Sequence, residues 1–273
     1  MVIEVFRSVD KIYELLEKAS DLILEQFHYP NLQIHLKSDN SPVTEADMAS
    51  NKVITAGLVS LFPGIPIISE ENSSESNNQV VENKVFWLLD PLDGTKEFVR
   101  GSDAFSINLA LIKDNVPVLG FLYFPVQGLC YYGFDNQVFK KSIDKTLLIK
   151  RSNDDKIRAF IMSKRADLEK VQKIRSILAP QAALKMLPSA QKFGALIEGD
   201  ADIFLCCNDV YEWDAAAGHA IINAMGGALM SFDGNSLNYG EVKKGFVSNH
   251  FLAMRSKDML NKRKKQSIVD LCF

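Results

Sequence analysis

Two aspartates three residues apart, Asp90 and Asp93, stand inside the run Trp87-Leu-Leu-Asp-Pro-Leu-Asp-Gly-Thr95. An apolar strand is expected to deliver Asp90 at its C-terminal end. Pro91 and Leu92 would then turn the chain, and Asp93-Gly94-Thr95 can open a helix. Across such a turn the two carboxylates can converge on one point. The amides of Gly94 and Thr95 would lie at a helix N-terminus, where unsatisfied N–H groups and the helix dipole favour an anion. Carboxylate oxygens suit hard divalent cations, and a helix end suits a phosphoryl group. Taken alone, the pair reads more readily as cap and turn residues, the usual role of Asp before Gly.

Other carboxylates occupy similar places. Ser69-Glu70-Glu71 closes an apolar strand with paired acids, and Asp47 falls in the first turn of an expected helix. Trp213-Asp214 precedes Ala215-Ala216-Ala217-Gly218, a helix of small residues that can pack closely, with Asp214 as its natural N-cap. Gly226-Gly227 would end that helix and turn the chain. No histidine or cysteine cluster competes for a metal, so an oxygen-ligated divalent ion is the chemistry these residues favour.

The elements that must position them follow from periodicity. Over residues 3–27, Val5, Val9, Ile12, Leu16, Ala19, Ile23 and Phe27 recur every three or four positions, which predicts an amphipathic helix on a core. Leu32 to Leu36 alternates like a short strand. Thr44 can cap a second helix, with Asp47 at the capping-box position. Ile65 to Ser69 and Val85 to Leu89 read as strands, and the Ser-, Asn- and Glu-rich stretch from Glu71 to Asn83 as a flexible surface loop. From Ser106 to Phe139, β-rich runs separated by Asp114-Asn115 and Asp135-Asn136 predict an antiparallel sheet. The second half alternates: Ile157 to Ser163, Asp167 to Leu178, Ala190 to Glu198, Ile203 to Cys207 and Asp214 to Ala224. This pattern predicts layers of sheet and helix, α+β or α/β. A boundary near 150–156 would divide a lobe of residues 1–152, carrying most of the acidic cluster, from a lobe of 153–273 carrying Asp214, as one functional unit.

Composition narrows the partners. The 273 residues include 31 basic and 34 acidic side chains, a net charge of −3, which argues against a nucleic-acid backbone as main partner. Small anionic ligands stay open, because a few local charges or a metal can hold them. Cys130, Cys206, Cys207 and Cys272 form no CxxC pair, so a disulfide framework or cysteine–zinc site is not expected. Charges interleave the first twenty residues, unlike a signal peptide. The longest apolar stretch, Val116 to Val126, is interrupted by Pro117, Gly120 and Pro125 and is too short for a bilayer. The expected setting is therefore reducing and cytoplasmic. The basic tail from Arg255 to Lys265 could touch an anionic membrane surface peripherally, although a solvated helix end has the same composition. The sequence carries no marker of oligomeric state.

The order Asp47, Glu70-Glu71, Asp90-Pro-Leu-Asp-Gly-Thr95, Trp213-Asp214 and Gly226-Gly227 resembles the inositol monophosphatase superfamily of magnesium-dependent, lithium-sensitive phosphatases. Six specified residues at roughly one in twenty each occur by chance on the order of 10⁻⁸ per position, so the core motif is specific. Lys96-Glu97-Phe98, where inositol monophosphatases carry Thr-Asn-Phe, makes the chain most similar to the bacterial 3'(2'),5'-bisphosphate nucleotidase branch. Ser38 to Thr44 and Trp213 to Ala220 point the same way.

The resemblance implies an α-β-α-β-α sandwich of the sugar phosphatase type, and hydrolysis of the 3'-phosphate of adenosine 3',5'-bisphosphate to AMP. It further implies one Mg²⁺ on Glu70, Asp90 and the Leu92 carbonyl, and a second on Asp90, Asp93 and Asp214. Glu71 would serve a third, weaker Mg²⁺. Glu70 and Thr95, the latter hydrogen-bonded to Asp47, would orient the attacking water. Glu70, Leu92, Asp93, Gly94, Thr95, Lys192 and Asp214 would line the substrate site. Pro188 departs from the family's glycine before Ser189, which puts backbone contacts to substrate there in question. Open alternatives are an inositol or sugar-phosphate monophosphatase, and a nucleotide-binding regulator without catalysis.

Overall fold

The computed structural model describes residues 2–28, 34–36, 42–72, 76–77, 80, 83–150, 154–248, 250–260 and 270. The expected N-terminal helix is two helices, α1 (Val2–Phe6) and α2 (Val9–Phe27), interrupted at Arg7 and Ser8. A small antiparallel pair, β1 (Ile34–Leu36) and β2 (Pro42–Thr44), leads into α3 (Glu45–Leu61). Leu32 and Gln33, part of the first predicted strand, lie outside the described residues.

The strands β3 (Ile67–Ser69), β4 (Val85–Asp93), β5 (Ser106–Lys113), β6 (Val116–Phe124), β7 (Leu129–Phe134), β8 (Gln137–Ser142) and β9 (Lys145–Leu148) form a seven-stranded sheet in that order. Only β3 and β4 are parallel; the other pairs are antiparallel. The hairpins at Asp114-Asn115 (φ 49° and 64°) and Asp135-Asn136 (φ 46° and 60°) place both turn residues in the left-handed region. Such turns match the twist of the flanking strands, and Asp and Asn tolerate them.

The second sheet has the order β11-β10-β12-β16-β14: β10 (Ala159–Met162), β11 (Ala183–Met186), β12 (Ile203–Cys206), β14 (Ala228–Ser231) and β16 (Phe251–Met254). A ribbon of β13 (Val210–Tyr211) and β15 (Val247–Ser248) stands beside it. The remaining helices are α4 (Thr95–Val99), α5 (Leu168–Leu178), α6 (Gln191–Glu198) and α7 (Glu212–Ala224).

Strand alternation sorts the apolar side chains into three cores. Odd positions of β4, β5 and β6, including Trp87, Leu89, Leu109, Leu111 and Phe121, with Cys130 and Tyr132 of β7, pack with Ile12, Leu16 and Ile23 of α2 and Ile54 and Leu58 of α3. Even positions, including Phe86, Leu88, Ala110 and Leu122, pack on α6 and α7, whose other side meets Phe204, Phe251 and Ala253 of the second sheet. The far face of that sheet, with Phe160, Leu205 and Leu252, packs on Val171, Ile174 and Leu178 of α5. The layers are therefore α-β-α-β-α. The small residues of α7 permit this spacing: a Cβ on Gly120 would lie 2.3 Å from the Ala217 carbonyl oxygen.

Three local expectations change. The chain does not turn at Pro91 and Leu92; β4 runs on to Asp93, with its register shifted between Asp90 and Asp93. The irregular stretch accommodates a proline that cannot donate to a ladder. Asp214 is not the N-cap of α7 but its third helical residue; Tyr211 is the cap, and its N–H donates to Asp214 Oδ2 at 2.9 Å. Within the predicted loop from Glu71 to Asn83, Ser76 and Asn77 are helical and Asn77 is buried. Residues 73–75, 78–79 and 81–82 lie outside the described residues.

Candidate active site

β4 ends at the cavity that holds the acidic residues. Asp90, Asp93 and Asp214 each offer a carboxylate oxygen, and these atoms all lie within 4.8 Å of one another. The bulge brings the first two together, and the first turn of α7 supplies the third. The surrounding cavity, of about 470 Å³, is also lined by Glu70, Leu92, Gly94, Thr95 and Lys192. Asp47 does not line it. It sits behind Thr95, whose hydroxyl lies 3.1 Å from Asp47 Oδ1 and 3.2 Å from the Leu92 carbonyl, either of which can accept its proton. The other oxygen of Asp47 accepts from the Thr44 N–H (2.7 Å) and Oγ1 (2.6 Å), closing the expected capping box.

The carboxylates are held by donors of their own. The Leu92 N–H donates to Asp90 Oδ1 at 3.0 Å. Asp93 Oδ2 accepts from Ser189 Oγ at 2.5 Å and from the Ala190 N–H at 2.9 Å, which ties the two halves of the chain across the site. Ser189, just after the anomalous Pro188, has φ 46°. That left-handed backbone points its donors at Asp93. Lys192, which the resemblance places in the substrate site, lines the cavity with its amine buried and donating to the Ser189 carbonyl at 2.6 Å.

Crowding sets the electrostatics. Burial, then the charges of Glu70, Asp93 and Asp214, push Asp90 well above the ordinary carboxylate range. Burial, then Asp93 and Glu70, do the same to Asp214. Burial also raises Asp47, opposed by its hydrogen bonds from Thr44 and Thr95. Burial lowers Lys192, opposed by Asp93, Cys206 and Asp214. His219 is driven down to about 3 by burial, so its imidazole is neutral, with Nδ1 2.9 Å from the Tyr239 hydroxyl. An all-oxygen cluster that repels itself when ionised fits a hard divalent cation, which would replace the protons otherwise needed.

α4 is a single turn, so the helix field expected at Gly94 and Thr95 is that of one turn only. Gly94 itself is required: its φ is 94°, and a Cβ would meet the Ala104 carbonyl at 2.8 Å.

Several contributors escaped the sequence reading. Ser50 and Asn51 continue the buried polar face of α3 that Asp47 begins, a spacing that could have exposed them. Asn108 is buried opposite Asp90 on β5, accepts from Ser106 Oγ, and its Nδ2 has no hydrogen-bond partner among the described residues. Arg100, Lys164, Arg165 and Tyr211 line the cavity. They come from loops and strand ends, where no periodicity marks them.

A self-repelling carboxylate cluster at the end of a strand, inside five alternating layers, is a candidate site for a divalent cation. The sequence matches the inositol monophosphatase family over residues 6–268, and the chain belongs to that family. It is 34% identical over 251 residues to the 3'(2'),5'-bisphosphate nucleotidase CysQ of Buchnera aphidicola, covering 90% of this chain and 93% of that one. It is 32% identical over 234 residues to the CysQ of Escherichia coli K12, covering 85% and 93%. The crystal structure of CysQ from Bacteroides thetaiotaomicron, a bacterial member of the same family, superposes with a TM-score of 0.77 at 26% identity, over 92% of this chain and 97% of that one.

Among the described residues, no helix is long and apolar enough to cross a membrane. The basic residues Lys262 to Lys265 and Cys272 lie outside the described residues.

Proposed function

We propose that this chain hydrolyses the 3'-phosphate of adenosine 3',5'-bisphosphate, giving AMP and phosphate, in a cytoplasmic setting where Cys130, Cys206 and Cys207 stay reduced. The observation that carries the reading is a cavity with two ways to hold a phosphate, a carboxylate wall through the metals it would bind and a basic wall directly. Asp90, Asp93 and Asp214 form one, and Arg100, Lys164, Arg165 and Lys192 supply the other. A substrate with two phosphates uses both; a monophosphate leaves the cations idle. The nucleotidase names of the similar chains support the same substrate.

Glu70, Asp90 and the Leu92 carbonyl would hold one Mg²⁺, and Asp90, Asp93 and Asp214 a second, with Glu71 serving a weaker third. When bound, these ions supply Lewis-acid activation of water and neutralise phosphoryl charge. The protein's own groups do the positioning. Asp47 fixes the Thr95 hydroxyl, and Thr95 and Glu70 would orient the attacking water in line with phosphorus. Ser189 and the Ala190 amide keep Asp93 aimed inward. The cations would hold the 5'-phosphate, and His219, neutral and turned to Tyr239, takes no part in proton transfer.

Phosphate release from adenosine 3',5'-bisphosphate, AMP and inositol 1-phosphate, with Mg²⁺ and with or without Li⁺, tests this. The bisphosphate should be hydrolysed with the highest kcat/KM, in a Mg²⁺-dependent and Li⁺-inhibited manner. Higher kcat/KM for inositol 1-phosphate would overturn the substrate assignment, and absence of Mg²⁺-dependent turnover on all three would overturn the reading as a whole.

A further inference from the structure

Tyr211 is the large aromatic side chain at the cavity wall that remains substantially open, with 39% of its surface exposed. An exposed ring at a helix N-cap would ordinarily swing freely. This one does not. Its ring lies on the buried indole of Trp213, with centroids 4.8 Å apart and planes inclined by 13°. Trp213 is backed in turn by Phe246, 6.0 Å away. The backbone beneath is fixed as well, because Tyr211 pairs with Val247 in the β13–β15 ribbon and its N–H is bound to Asp214. The result is a stack with one face covered and the other open, three residues along the chain from a carboxylate of the acidic cluster.

We propose that Tyr211 is a nucleobase platform, on which the base of a purine nucleotide stacks while its phosphates meet the carboxylate-bound metals and the cations. This rests on the nucleotidase reading and deepens it. A flat π-system gains from offset stacking on an open aromatic face, whatever its sequence of ring atoms. Because Trp213 already immobilises the ring, stacking on it costs little further side-chain entropy. Cys207 and Val210 add apolar surface to the lining of the same cavity, beside the polar Asn208 and Asp209. An inositol ring has no π-face and gains nothing there, so the platform also separates the two substrate classes. Its position next to Asp214 couples base binding to the chemistry geometrically: a base seated on Tyr211 is anchored to the same first turn of α7 that supplies a carboxylate.

The test compares wild type with Tyr211→Ala and Tyr211→Phe on adenosine 3',5'-bisphosphate and on ribose 3,5-bisphosphate, which has the same phosphates and no base. Tyr211→Ala should lower kcat/KM for the nucleotide about tenfold, mainly through KM, and change the ratio between the two substrates by a similar factor. Tyr211→Phe, which keeps the ring, should restore that ratio. Equal losses on both substrates, or a Phe variant as impaired as the Ala variant, would overturn the platform. Calorimetric binding of AMP to the same proteins reads the platform without turnover. An unchanged Kd in Tyr211→Ala overturns it, whereas wild type that fails to hydrolyse the bisphosphate overturns the functional reading instead.

Discussion

Asp90 and Asp214 share one small, buried volume with Asp93 and Glu70, and this crowding has a consequence for stability. A carboxylate whose folded pKa lies above its unfolded value of 3.8 favours folding fully only below that value. The contribution is lost as pH rises through the raised folded pKa, since the native state must then bury repelling charges. Metal-free protein should accordingly lose Tm as pH climbs from 3.8 through the raised pKa values of these carboxylates. Saturating Mg²⁺ should return most of it, because the ion takes the place of the protons. Asp214→Asn, which removes one charge, should flatten the metal-free profile. Calorimetry in EDTA and in Mg²⁺ checks this; a flat wild-type profile in EDTA, or a slope unchanged in the Asn variant, would contradict the crowding. At this scale the sequence was informative where a motif carried the residue. The six-residue core from Asp90 to Thr95 announced the cluster. Ser189 was noticed only through the departure at Pro188, and its hold on Asp93 from 96 positions away depends on a left-handed backbone that composition does not write.

Among the elements, α3 organises the site. Asp47, Ser50 and Asn51 stand at i, i+3 and i+4, on one buried face, the first two reaching the end of β4 and the third the end of β3. Asp47 reaches Thr95 after β4. Ser50 Oγ donates to the Pro91 carbonyl at 2.9 Å and pins the bulge. Asn51 Oδ1 accepts from Ser69 Oγ at 2.7 Å, one residue before Glu70, and Asn77 clasps the Ser69 backbone on its other side. If α3 positions Glu70 in this way, Asn51→Ala should raise the Mg²⁺ concentration for half-maximal activity by about tenfold, with a smaller effect on kcat at saturating metal. A lower Tm with unchanged Mg²⁺ dependence would reduce Asn51 to a packing residue. The long elements were legible because their burial repeats: α2, α3 and α5 follow the 3.6-residue pattern, and Asp-Asn turns join β5 to β6 and β7 to β8. The illegible ones are short. β11 has four residues and β13 and β15 two each, held by neighbours distant in sequence, so local pattern says nothing about them. The Pro91 turn was misread for a related reason: a proline usually ends a strand, and only pairing with β5 shows that this strand continues past it.

For the whole molecule, the decisive fact is that α6 and α7 form the shared middle layer. They close the core under even-numbered residues of the first sheet and the core on one face of the second. The first sheet ends at Leu148 and the second begins at Ala159, on either side of the boundary suggested near 150–156, yet one apolar core draws on both sides. Asp93 of the first sheet is bonded to Ser189, and Gly120 touches α7 too closely to admit a methyl group. Two lobes with independent cores would unfold separately; layers that share one should unfold together. The two tryptophans report on different layers, Trp87 in the core beneath α2 and α3, and Trp213 in the core around α7. Trp213→Phe and Trp87→Phe each leave a single indole. In each variant the urea midpoint from fluorescence should coincide with that variant's own midpoint from far-ultraviolet circular dichroism. A Trp213 signal that melts before the bulk helix and sheet signal would show that the middle layer detaches from the first sheet. The site, which takes Asp90 and Asp93 from one sheet and Asp214 from the layer between, would then be assembled only in the fully folded chain. Coincident midpoints instead bind the integrity of the acidic cluster to global stability. In that case any core substitution that lowers the global midpoint in metal-free protein should be offset by Mg²⁺ to the same extent in both single-tryptophan backgrounds.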